Sequence, residues 1–145
     1  MRANGAPREP QPDATETAFR LESGIFCRAL LQVPGAPLAC CVLAHGAGAG
    51  MRHPFMALVA AGLAKRGIAT LRFDFPYMAR GSRRPDPPAV AQAAVRAAVT
   101  HAATCLPGVP LVAGGKSFGG RMSSQAQAEA PLPGVRGLAF LGFPL

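Results

Sequence analysis

From Leu38 onward two hydrophobic patterns alternate along the chain. Leu38–Ala44, Ile68–Phe73, Val109–Ala113 and Val135–Phe143 are short, nearly unbroken apolar runs bounded by Gly or Pro. Such runs suit strands buried on both faces. Between them apolar residues recur at helical spacing. Phe55, Leu58, Val59, Gly62 and Leu63 share one face of a helix that opens at Pro54, and Gly67 follows where a helix end favours a left-handed residue. A second helix is predicted from Pro87-Pro88 to Cys105 with Asp86 as its cap, and a third from Ser117 to Glu129. Pro76 to Pro85 reads as a basic loop.

Upstream, Thr17–Glu22 and Ile25–Val33 read as two strands joined by a two-residue turn at Ser23-Gly24. Strand and helix then alternate to the end. That order predicts an α/β fold: a mostly parallel sheet with right-handed crossovers and helices on both faces, a three-layer sandwich. Residues 1–16 are polar and Pro-rich and read as a flexible tail, leaving 17–145 as one domain.

Composition narrows the picture. The formal net charge is +8, from 15 Lys+Arg against 7 Asp+Glu. The arginines are scattered apart from Arg80, Arg83 and Arg84, and no aromatics interleave with them. This footprint does not suit nucleic-acid binding, and those three arginines read as a solvated loop or as contacts for an acidic substrate. The four cysteines form no C-x-x-C pair and no zinc-spaced cluster with histidine, so no metal is expected and the usage suits a reducing compartment. No apolar run is long enough to span a bilayer, and no signal-peptide pattern opens the chain, so a soluble cytoplasmic protein is expected.

The candidate chemistry lies in two Gly-rich turns. Gly115-Lys116-Ser117-Phe118-Gly119 follows a β run and opens a helix. A sharp strand-to-helix turn presents Ser117 as a nucleophile above the sheet edge, and glycines permit the close backbone approach. A P-loop reading of Gly-Lys-Ser fails because its first glycine falls on Pro110. His45-Gly46-Ala47-Gly48-Ala49-Gly50 follows the first buried strand. A dinucleotide fingerprint fails there at Met51, whereas an oxyanion loop fits, with the amides of Ala47 and Phe118 as donors. His45 and Gly46 order that loop. Asp74 either lines the pocket or orders a loop near Arg72, and Tyr77 borders the same cleft. His53 reads as a surface or capping residue and His101 as a partly buried structural one.

The segments Leu43–Gly50, Arg72-Phe73-Asp74-Phe75-Pro76-Tyr77 and Gly114–Arg121 together resemble a branch of the α/β-hydrolases. It is the small bacterial hydrolase-like family related to dienelactone hydrolases, whose domain also occurs in a chromatin-associated acetyltransferase subunit. The resemblance implies a serine hydrolase acting on a small ester-like substrate through Ser117, with no cofactor. It also implies a triad in the order Ser, acid, His. After Ser117 the only carboxylate is Glu129, on the nucleophile's own helix, and there is no histidine. The expectation is therefore a chain truncated at its C-terminus, lacking the last strands of the fold and inactive as it stands. The alternative is a non-catalytic binding or scaffold module on the same fold. Nothing in the residues specifies an oligomeric state.

Overall fold

The computed structural model describes residues 13–142. The predicted tail lies outside the described residues as far as Pro12, and so does Phe143 at the end of the last predicted strand. Six strands form one sheet in the order β1-β2-β4-β3-β5-β6. β1 (Thr15–Arg20) and β2 (Phe26–Gln32) make an antiparallel hairpin, and β2 pairs antiparallel with β4 (Ile68–Phe73). β3 (Ala39–Ala44), β4, β5 (Leu111–Lys116) and β6 (Val135–Leu141) run parallel, as the alternation predicts.

Four helices connect them: α1 (Pro54–Lys65), α2 (Pro76–Ala79), α3 (Pro88–Cys105) and α4 (Phe118–Glu129). α3 and α4 pack on each other and on the central strands, whereas α1 packs on β4 from the opposite side. The two crossovers leave β3 and β4 in opposite directions, and a right-handed connection in each case puts the helices on opposite faces.

The two faces are unequal. Val42, Ala44, Ala69, Leu71, Phe73 and Ala113 point toward α3 and α4, where Ala91, Ala94, Val95, Ala98, Val99 and Met122 close the main core. Alanines along α3 let the helix sit close to the sheet, so the core is dense without large side chains. The α1 side is smaller, resting on Met56, Ala60 and Ala64 from the helix.

Four local expectations change. The hairpin turn is wider than two residues: Leu21 N donates to Ile25 O, which leaves Glu22, Ser23 and Gly24 at the tip. The Pro76–Pro85 loop contains the short helix α2. Asp86 does not cap α3, whose N-cap is Pro87 without any side-chain bond. The Asp86 carboxylate turns inward and accepts from Tyr77 N (3.0 Å) and from Arg80 (3.0 Å). β5 begins at Leu111 and runs on through Gly114-Gly115-Lys116. The glycines look like breakers in the sequence, but a Cβ at Gly114 would stand 1.8 Å from the Ala139 carbonyl oxygen. Only glycine lets β5 sit that close to β6.

Candidate active site

The strand order reverses between β3 and β5: from β3 the chain steps to β4, then returns past β3 to reach β5. Loops leaving the carboxyl ends of such neighbouring strands diverge and open a crevice between them. The two Gly-rich turns leave the sheet at this point, and Ala44 pairs directly with Gly115.

Ser117 has φ 50° and ψ −111°, and is the one non-glycine residue with positive φ among those described. This conformation is strained by roughly 1–3 kcal/mol and persists only where surroundings enforce it. They do so on both sides. Ser117 N donates to Gly142 O (2.9 Å), and Arg121 N donates to Ser117 O (3.0 Å) as α4 begins. A Cβ at Gly115 would lie 2.0 Å from the Ala44 carbonyl oxygen, and one at Gly119 would lie 2.2 Å from it. The elbow is thus pressed against the start of the His45 loop with no room for a methyl group. Ser117 is partly exposed and its hydroxyl makes no capping bond to α4.

The His45–Gly50 loop is clamped by the segment that follows β4. His45 is fully buried. Its Nε2 accepts from Phe75 N (3.1 Å), so Nδ1 carries the proton and donates to Gly46 O (2.7 Å). Burial pushes its pKa down, which keeps the ring neutral. Both nitrogens are committed, so His45 orders the loop and is unavailable as a base for Ser117. The 3.9 Å separation between its Nε2 and Asp74 is accordingly no ion pair.

Asp74 Oδ1 accepts from Met51 N (2.7 Å) while Arg72 donates to Met51 O (3.2 Å), so the end of β4 and the residue after it grip both backbone polar groups of one residue. Asp74 thereby orders the loop, though not through Arg72. Tyr77 is fully buried beneath the loop instead of bordering the cleft, and its hydroxyl accepts from Gly48 N (2.6 Å). Burial raises the pKa of this phenol, which stays protonated. With Gly48 held, the Ala47 N–H at the exposed tip has no partner among the described residues, and neither has the Phe118 N–H that opens α4. Unpaired amides are what an oxyanion site needs.

The other ionisable groups are elsewhere. His53 caps α1, accepting from Phe55 N (3.1 Å). His101 bonds Thr17 (2.9 Å) and meets Cys105 (3.5 Å). Glu129 ends α4, about 18 Å of helix from Ser117 at 1.5 Å per residue, and borders an 810 Å³ groove between the hairpin and α3. That groove, the larger of the two main cavities, does not touch the elbow. No cluster of metal-binding side chains occurs among the described residues. Sequence reading missed two supports: buried Asp86, which it took for a helix cap, and the Gly142 carbonyl, which carries no sequence signal.

Residues 37–145 match the alpha/beta hydrolase domain family. Among solved structures, the dienelactone hydrolase from Anabaena variabilis matches with a TM-score of 0.80 at 20% identity, over 92% of this chain and 65% of that one. An α/β serine hydrolase without lid from Xanthomonas campestris matches at 0.69 and 20% identity, over 86% and 59%. A thermostable carboxyl esterase from Bacillus coagulans matches at 0.72 and 17% identity, over 88% and 44%. The chain therefore spans less than two thirds of each of these proteins. At such identities the likeness is one of fold. No curated protein sequence matches the chain.

Proposed function

The chain belongs to the alpha/beta hydrolase domain family, and from that premise we propose that Ser117 is the nucleophile position of a serine hydrolase acting on a small ester-type substrate. The observation that carries this reading is the strained, partly exposed Ser117 beside a clamped loop with an unpaired amide. Ser117 Oγ would attack the carbonyl carbon, and the amides of Ala47 and Phe118 would hold the oxygen as it gains charge. One such donor contributes about 3 kcal/mol to the transition state.

No described histidine bonds Ser117, and none follows it in the sequence. These residues thus hold the nucleophile and oxyanion machinery without a paired acid and base. The chain alone should show only weak turnover. No helix among the described residues is long and apolar enough to cross a membrane, and the four cysteines are free, which fits a cytoplasmic setting. A second reading is a hydrolase-fold module that binds without catalysis, since a fold does not by itself fix an activity.

Chemical rescue separates the two. An oxyanion site without a complete triad retains roughly 10³-fold catalysis over water. We expect slow p-nitrophenyl acetate hydrolysis and slow fluorophosphonate labelling, both faster with added imidazole and both abolished in Ser117→Ala. Equal labelling of wild type and Ser117→Ala, with or without imidazole, would leave only the binding module.

A further inference from the structure

The α1-facing side of the sheet carries polar side chains where a helix-covered face is normally apolar. Strand register sets Glu16 beside Leu30 and Leu30 beside Arg72, and sets Gln32 beside Thr70. Gln32, Thr70 and Arg72 are all buried, with Arg72 only 5% exposed. Arg72 donates one bond to Met51 O (3.2 Å), and its contact with Gln32 Oε1 is at 3.5 Å, the limit of a hydrogen bond. Its Nε has no partner, and neither has the Thr70 hydroxyl two residues away on the same face.

These are the two buried side-chain polar atoms without a partner among the described residues, and they are neighbours. A guanidinium does not shed its proton, so Arg72 is a buried cation. Among the described residues no carboxylate pairs with it, and the charged group that acts on it is another cation, Arg52. Burying a charge is costly unless something pairs with it. Both arginines line a cavity of about 560 Å³, bordered also by Leu30, Ala57 and Glu16.

We propose that this cavity binds a small oxyanion, a phosphate or a carboxylate, with Arg72 as its floor and Arg52 at its mouth. Arg52 is bonded to Glu16 at the rim, and both side chains are more than half exposed, so Arg52 can exchange that carboxylate for the incoming anion. The site is separate from Ser117, but it communicates with the oxyanion loop through the bond from Arg72 to Met51.

The test is a titration of the whole chain with inorganic phosphate, and separately with acetate, at constant ionic strength made up with chloride. It is followed through the arginine Nε–H resonances. The resonance assigned by its loss in Arg72→Lys should shift and saturate. Saturation with phosphate alone assigns a tetrahedral ligand; saturation with acetate alone assigns a carboxylate. Arg52→Gln, at an exposed position, should weaken binding by roughly tenfold, and Glu16→Gln, which removes the carboxylate that competes for Arg52, should strengthen it. If Arg72→Lys does not fold, these two variants still decide. A resonance that neither anion saturates, or an affinity unchanged in both Arg52→Gln and Glu16→Gln, overturns the site.

Discussion

Ser117 pays for its position with backbone strain, and two substitutions make that measurable. Ser117→Gly removes the Cβ from a positive-φ residue and should raise stability by up to about 1 kcal/mol, seen as a higher denaturation midpoint, whereas Ser117→Ala should not. Gly119→Ala should do the reverse. Its methyl would meet the Ala44 carbonyl at 2.2 Å, and a loss of about 3 kcal/mol or more is expected in the same measurement. Histidine sets a pH dependence. Burial lowers the pKa of His45 and His101 from the ordinary 6.5. The unfolded chain therefore takes up protons first as pH falls through about 6.5, so stability is present above that pH and declines below it. Urea midpoints flat from pH 8 to 7 and falling by pH 5.5 are expected; a profile flat throughout would contradict the neutral, buried His45. At this scale the sequence was informative about Ser117 and the glycines, because motif and context coincide. It was silent on Gly142, which acts through its carbonyl, a group every residue has.

Among elements, the end of β4 and the segment after it carry more of the site than their length suggests. Phe75 N, Tyr77 Oη, Asp74 and Arg72 each hold a different point of the His45–Met51 stretch. Tyr77→Phe should cost about 1–2 kcal/mol by leaving Gly48 N–H unpaired, and should speed hydrogen exchange at Gly48 while leaving exchange in α3 unchanged. Amide exchange followed by NMR would check both. The alternation of strand and helix was legible because β3 and β4 are apolar runs and α1 ends at Gly67, whose φ is +79°. What was not legible arose from tertiary demands. Asp86 looked like a helix cap because carboxylates favour caps, but it is buried and binds Tyr77 N and the exposed Arg80 instead. The continuation of β5 was hidden by glycines that crowding from β3 and β6 requires.

For the molecule as a whole, the sheet has unequal faces and two unlike edges. β1 shows water Glu16, whereas β6 presents Leu138, Ala139 and Leu141 only half buried at the other edge. An apolar edge strand invites pairing with another chain. Light scattering should show association that grows with concentration, and Gly137→Lys, at a position with open space around it, should reduce it without loss of fold. The +8 charge, by contrast, was visible in the sequence, but only the fold shows where it matters, with two arginines meeting at one cavity. The strand order carries a last consequence, for the path of folding. Cys40 meets Leu111 only after the chain has made α1, β4, α2 and α3 and come back. Contacts closing so long a loop form late, since its entropy is lost before they repay it. Local sequence does not hold Ser117 at φ 50°; the β3–β5 pairing and the Gly142 carbonyl do. An incompletely folded chain therefore carries an ordinary serine, and the strained geometry arises only as the sheet closes.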